Sequence, residues 1–160
     1  MTADPKALYQ EVILDHNRKP RHYGRLEHPS HQAEGLNPLC GDHIHLALEL
    51  AGDTVAAIAF HGESCAICKA SASMMTAAVK GRSQSDARRL AREFVDMATG
   101  RLGAGDATHL GSLAVFSGIS QLPMRVKCAI LPWHTLQAAF DAVATTSTEA
   151  EAVQAPIGEP

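Results

Sequence analysis

The sequence predicts an α+β fold, in which helices pack on one face of a small antiparallel sheet of about three strands. Two observations carry this prediction. Apolar residues recur at alternate positions on both sides of Gly52-Asp53, which is typical of a β-hairpin. From residue 66 onward the composition and apolar spacing favour helices. Strands that come early in the chain and helices that follow are the order expected of an α+β domain.

The segment up to the hairpin is predicted to form one helix and a long loop. Asp4-Pro5 supplies a cap and a first-turn proline, and residues 17–20 end the helix. From there to Asp42 the chain is dense in proline, glycine and polar residues, so we expect a loop with one short strand. Residues 44–50 and 56–60 then form the two strands of the hairpin.

Two helices are predicted directly after the hairpin. Small, helix-compatible residues fill positions 66–80, and Gly81 is expected to end this helix. Ser85 or Asp86 is expected to cap the next helix, which ends before Gly100.

The remaining chain is predicted to hold two more helices. Residues 101–109 have the composition of a loop, and a short helix covers 110–116. Pro123 then breaks the chain. The last helix starts near Cys128 or continues with a kink at Pro132, since proline lacks the amide that a helix interior requires.

Length and composition predict one domain. Of the 160 residues 46% are hydrophobic and 19% charged, which is ordinary for a globular protein with a core. We expect this domain to cover residues 1–146. Residues 147–160, rich in alanine, glutamate and proline, are predicted to form a disordered tail.

Charge and patterning exclude several classes of partner. A formal net charge of -3 provides no basic field for nucleic acid. The chain has no apolar run of about 18 residues, which a membrane-spanning helix would need. Its first residues lack the basic-then-apolar order of a signal peptide, so we expect a cytoplasmic protein.

The four cysteines are the main candidates for chemistry. Because cytoplasmic thiols stay reduced, they are expected to be ligands, nucleophiles or buried residues rather than disulfides. Cys65 and Cys68 have the spacing of a thioredoxin-type redox pair. Against that function, the preceding strands pair as a hairpin, and Ser64 stands where an aromatic residue is expected. A zinc finger would need a second close pair of ligands, which the sequence lacks.

A metal site can instead be assembled from separate segments. Cys40 and Asp42 are two positions apart, so in an extended segment both side chains lie on the same side. Cys65 stands at a predicted helix N-terminus, which favours a thiolate, and Cys128 near another. If the fold brings these groups together, three thiolates and one carboxylate suit tetrahedral Zn²⁺. Iron or a [2Fe-2S] cluster is an equally compatible occupant.

Three further residues are candidates for positions around this site. Arg125 and Lys127 could offset its negative charge, or could be ordinary solvated surface charges. Cys68, three positions after Cys65, could be a spare ligand, a resolving thiol or a packed apolar residue.

The ordered motifs of the chain resemble those of the U-type iron-sulfur cluster assembly family, which includes IscU, SufU and the N-terminal domains of NifU. The matching stretches are "LYQEVILDHNRKPRHYG", "NPLCGD", "SCAICKASASMM" and "RVKCAILPWHTL", which cover nearly all of the chain except the tail. The resemblance implies a SufE/IscU-like fold, a metal site formed by Cys40, Asp42, Cys65 and Cys128, and a cysteine desulfurase that docks near it.

Two features resemble the SufU branch. Lys127 stands where IscU proteins carry histidine, and the chain has an insertion around residues 83–105. That branch implies a zinc-dependent sulfurtransferase in which Cys40 accepts sulfur from a SufS-type desulfurase and passes it to a SUF cluster scaffold. The alternative is a scaffold that holds a [2Fe-2S] cluster on the same ligands. Cys68, Pro132 and Ser64 depart from the residues expected in this branch.

Overall fold

The computed structural model describes residues 5–102 and 104–149 of the chain. Helix α1 covers Pro5–Arg18 and is followed by three strands, β1 (His31–Asn37), β2 (Asp42–Ala51) and β3 (Thr54–Glu63). These strands pair antiparallel in chain order. Thus the long loop of the prediction does contain one strand, β1, and the hairpin forms from β2 and β3.

The second half of the described chain is mainly helical. Helices α2 (Ala66–Val79) and α3 (Gln84–Ala98) precede a stretch of 3₁₀ turns, Ala104–Gln121, which is kinked at Gly111. Helix α4 (Pro123–Phe140) leads to a three-residue strand, β4 (Thr145–Ser147). None of the described helices has the length and apolarity that a bilayer span requires.

The helices cover one face of the sheet. In β2, alternate side chains from Asp42 to Leu48 are buried against the helices, and those between them are partly exposed on the opposite, outer face. Within the helical layer, the ring of Trp133 stacks on Phe94 at 4.6 Å between centroids. The Trp133 indole N–H donates to Ser71 Oγ at 3.1 Å, so the one polar atom of this buried ring has a partner.

The predicted α+β class is confirmed, but the predicted strand count is wrong. The sheet has four strands in the order β3-β2-β1-β4, and β4 pairs parallel to β1. Three residues are too few to show the alternation by which strands are recognised. Backbone hydrogen bonds that flank β4, from Glu34 N–H to Ala144 O and from Thr148 N–H to Leu36 O, fix it instead. The tail predicted for residues 147–160 lies mostly outside the described residues.

Several predicted boundaries shift by a few residues. Helix α4 starts at Pro123, not near Cys128, because proline suits the first helical turn, where no amide partner is needed. Pro132 lies inside α4 and removes the amide that would pair with the Cys128 carbonyl. Ser83, rather than Ser85 or Asp86, caps α3 by accepting the Asp86 N–H at 3.1 Å. The predicted loop at 101–109 is replaced from residue 104 by 3₁₀ turns.

The contact between β1 and α4 yields a test of this packing. A Cβ added at Gly35 would overlap the Thr135 hydroxyl and lie 3.2 Å from Leu131 Cδ1. We expect Gly35→Ala to lower the free energy of unfolding by about 1–3 kcal/mol, the usual cost of overpacking. The measurement is urea unfolding. Gly118→Ala is the control, because its Cβ would meet no atom within 4 Å. Equal stability of the two variants would contradict the packing described here.

Candidate metal centre

Two of the predicted ligands lie at the turn between β1 and β2. Asn37, the last residue of β1, accepts the backbone N–H groups of Cys40 and Gly41 on its carbonyl, at 3.2 and 2.8 Å. Gly41 has a φ of 77°, a left-handed conformation that favours glycine. The turn leaves Cys40 exposed and places Asp42 at the start of β2, where its side chain is buried against the helical layer.

The third predicted ligand, Cys65, is the N-cap of α2. Its backbone N–H donates to Asp42 Oδ1 at 2.7 Å, and its Sγ lies 3.9 Å from Asp42 Oδ2. The Sγ also accepts the Cys68 N–H at 3.4 Å, as expected of a capping side chain. One carboxylate therefore fixes where α2 begins relative to β2.

The fourth predicted ligand, Cys128, is buried in α4 and faces the same point. Its Sγ lies 3.4 Å from Cys40 Sγ. The Cys40 and Cys128 sulfurs and a carboxylate oxygen of Asp42 all lie within 4.8 Å of one another, and Cys65 borders this group through its contact with Asp42. The structure thus brings three of the four predicted side chains together, and it places the fourth, Cys65, beside them in contact with Asp42.

The donor set and its spacing fit zinc. Ligands bonded to tetrahedral Zn²⁺ at about 2.0–2.3 Å lie roughly 3.3–3.8 Å from one another. The separations of 3.4 Å between two sulfurs and 3.9 Å between a sulfur and a carboxylate oxygen are close to that range. Coordination by these four groups stays a prediction, which the geometry supports.

In the metal-free protein the thiols of Cys65 and Cys128 differ in pKa. Hydrogen bonding from Cys128 lowers the pKa of Cys65 to about 7, assisted by the backbone N–H groups of Cys68 and Ile67 and opposed by burial and the Asp42 charge. The hydrogen bond with Cys65 raises the pKa of Cys128, and so does burial. Of these two thiols, Cys65 is therefore the one that loses its proton more readily. A group of cysteine side chains that includes an easily ionised thiol favours the binding of a thiophilic cation.

The three residues predicted around the site have different surroundings. Lys127 pairs with Glu149 at 2.7 Å, so this charge is turned toward the chain beyond β4. Arg125 is exposed, and its charge counteracts the burial that raises the pKa of Tyr9. Cys68 is fully buried in the core, where burial raises the pKa of its thiol well above the ordinary value. This burial favours the packed apolar residue among the alternatives for Cys68.

Sequence reasoning missed Asn37, which is fully buried beside the ligands. Its Nδ2 donates to Asp42 Oδ2 at 3.2 Å and to Cys128 Sγ at 3.5 Å. Its Oδ1 accepts the Thr148 hydroxyl at 3.0 Å, which fixes the orientation of the amide. The only signal was its place in the motif "NPLCGD", because the contact with Cys128 joins residues far apart in the chain.

Comparisons with known proteins show to which family the chain belongs. The family model described as NifU-like N terminal domain matches residues 8–153. The zinc-dependent sulfurtransferase SufU of Bacillus subtilis is 42% identical over 135 residues, which cover 84% of this chain and 90% of that protein. The iron-sulfur cluster assembly scaffold protein IscU of Streptococcus pyogenes is 39% identical over 83% of this chain and 82% of its own length.

Solved structures share the fold. A crystal structure from Fervidobacterium islandicum, of a protein named as an iron-sulfur cluster assembly scaffold for the SUF system, superposes with a TM-score of 0.77. It is 32% identical, and the match covers 83% of this chain and 96% of that one.

The lowered pKa of Cys65 gives a prediction for the metal-free protein. The ultraviolet absorbance of thiolate should rise with a midpoint near pH 7. Because the pKa of Cys65 in the folded protein lies below the ordinary thiol value of 9.0, the thiolate stabilises the fold at high pH, and this contribution is lost as the pH falls through 7. Cys65→Ser should abolish the step, whereas Cys68→Ala should retain it. A step that survives Cys65→Ser would refute the assignment.

Proposed function

Since the chain belongs to the NifU-like N-terminal domain family, we propose that it is a zinc-dependent sulfurtransferase of iron-sulfur cluster assembly. In this proposal Cys40 accepts sulfur from the persulfide of a SufS-type cysteine desulfurase, and a SUF cluster scaffold receives it. The name of the Bacillus subtilis relative, a zinc-dependent sulfurtransferase, supports this activity. The cytoplasm, where the four free thiols would stay reduced, is the compartment that suits it.

The observation that carries the proposal is the unequal exposure of the predicted ligands. Cys40 is exposed in a turn, whereas Cys128 and the Asp42 carboxylate are buried and Cys65 is partly buried. A sulfur acceptor must be reached by the catalytic cysteine of another protein, and of the four groups Cys40 is the one a partner can approach. Large apolar side chains that lie near Cys40 and Cys128 in the sequence are exposed as well, namely Leu39, Leu122 and Met124. Apolar exposure of this kind suits contact with a protein partner.

The residues supply the steps of sulfur transfer. The Cys40 thiolate attacks the terminal sulfur of the donor persulfide, so that an S–S bond forms on Cys40 and the donor's S–S bond breaks. The donor cysteine leaves as a thiolate and carries the displaced electron pair. Bound Zn²⁺ would keep the sulfur ligands deprotonated at neutral pH. Asn37 would hold Asp42 and Cys128 in place while Cys40 reacts.

A cluster scaffold is the second candidate function. The same three thiolates and one carboxylate suit a [2Fe-2S] cluster, and relatives named as IscU scaffolds are nearly as similar as the SufU relative. A thiol-disulfide oxidoreductase is disfavoured, because Cys68 is fully buried and its pKa is raised, whereas a redox cysteine needs access and thiolate character.

The proposal predicts how Cys40 affects a partner desulfurase. Wild-type protein should raise the rate at which a SufS-type desulfurase turns over cysteine, and Cys40→Ala should remove at least nine-tenths of that increase, about 1.4 kcal/mol in transition-state terms. Cys68→Ala, the matched control at a buried thiol, should stimulate as well as wild type. The measurement is alanine formation at saturating cysteine.

Mass spectrometry of the digested protein separates the two candidate functions. After reaction with desulfurase and cysteine, the peptide that contains Cys40 should carry the mass of one added sulfur. Sulfur on the Cys65 or Cys128 peptide instead, or stimulation retained by Cys40→Ala, would contradict Cys40 as the acceptor. No stimulation, together with a stable cluster that transfers to an acceptor protein, would favour the scaffold.

A further inference from the structure

We propose that the outer face of the sheet carries a second metal site, built from Glu34, His43 and His45, which binds a divalent transition-metal ion of the Zn²⁺ class. This site lies on the face opposite the helices. It is therefore separate from the cysteine centre, although Asp42 and His43 are neighbours in the chain. The proposal is independent of the proposed function, because it uses none of the residues assigned to sulfur transfer.

Strand register explains why these side chains meet. Glu34 of β1 pairs directly with His45 of β2, and His45 pairs with His61 of β3. His43 and His45 are two positions apart in one strand, so both project from the same face. Side chains on directly paired residues have Cβ atoms about 4.5–5.5 Å apart, which is close enough for both to bind one ion. The pairing of the three strands therefore places Glu34, His45 and His61 in one row across the outer face of the sheet.

The ligand atoms converge on one point. Glu34 Oε2 lies 3.2 Å from His45 Nδ1 and 3.7 Å from His43 Nε2, and the three ligand atoms lie within 4.8 Å of one another. Donors bonded to a tetrahedral ion at about 2.0–2.2 Å are separated by roughly 3.3–3.6 Å, and the distances of 3.2 and 3.7 Å lie close to this range. Two imidazoles and a carboxylate suit zinc, nickel or copper, whereas calcium and magnesium prefer oxygen ligands alone.

The rings are held in position by stacking. His45 lies between two other imidazoles, with centroids 4.7 Å from His43 and 4.7 Å from His61, and the His61 ring is nearly parallel to it. Burial lowers the pKa of His61, with smaller contributions from Arg25 and His45. A ligand whose ring is already oriented loses less freedom when it binds an ion.

The site also has room for ligands that the protein does not supply. Glu34, His45 and His61 line a cavity of about 390 Å³. An ion held by Glu34, His43 and His45 would lie beside this cavity and could complete its coordination there with water or a small anion, as in open zinc sites. An ion pair between Glu34 and one histidine would explain one contact, but the convergence of two rings on the same carboxylate oxygen is the arrangement of a chelate.

Isothermal titration with Zn²⁺ tests the proposal. Protein that already holds zinc at its cysteine centre should bind one further equivalent. His45→Ala and Glu34→Gln should each weaken that step at least tenfold. His31→Ala is the matched control, since His31 lies in β1 and its ring contacts the Ser30 hydroxyl instead.

The difference between wild type and His45→Ala is informative whatever number of ions the cysteine centre holds. A second equivalent that is lost in His45→Ala and Glu34→Gln but kept in His31→Ala supports the site. A wild-type protein that binds no further zinc overturns the proposal. A further equivalent that both ligand variants retain at unchanged affinity overturns it as well, because the ion would then be bound elsewhere. Circular dichroism of each variant confirms that the fold is intact.

Discussion

The hydrogen bonds of the Asp42 carboxylate are the interaction on which the arrangement of the centre depends. This side chain is 2% exposed, and a buried carboxylate is strongly unfavourable unless it is bonded. Its two oxygens accept the N–H of Cys65 and the amide of Asn37. They therefore tie together the end of β1, the start of β2 and the start of α2. Cys40 and Cys65 take their positions from these three points.

A residue next to the edge strand β4 helps to position this carboxylate. Thr148, just beyond β4, donates to Asn37 and fixes the amide that contacts both Asp42 and Cys128. The parallel strand β4 thus contributes to the centre although it supplies no ligand.

Side chains alternate between the two faces of the sheet along β2, so Asp42 lies on the helical face and His43 on the outer face. Consecutive residues can for this reason serve two different sites.

The sequence predicted the features that depend on local spacing. The hairpin and the cap of α2 at Cys65 follow from periodicity and capping. Cys40 and Asp42 were expected on one side of an extended segment, but a turn with Gly41 in a left-handed conformation brings them together instead. The features that were missed depend on pairing between distant segments. Neither the contact of Asn37 with Cys128 nor the pairing of β4 with β1 leaves a periodic signal. The row from Glu34 to His61 depends likewise on strand register, which composition does not reveal. That the four ligands form one group was predicted from the family resemblance and from their positions in separate loops and helix ends. The structure adds the distances between these side chains.

Zinc-edge X-ray absorption of protein loaded with one equivalent of zinc tests whether a single ion is held by Cys40, Asp42, Cys65 and Cys128. Coordination by these groups gives three sulfur neighbours at about 2.3 Å and one oxygen at about 2.0–2.2 Å, and two sulfur neighbours in Cys128→Ser. Four sulfur neighbours would mean that Cys68 replaces Asp42. A first shell of nitrogen and oxygen alone would place the ion away from the cysteines and contradict coordination by these four groups.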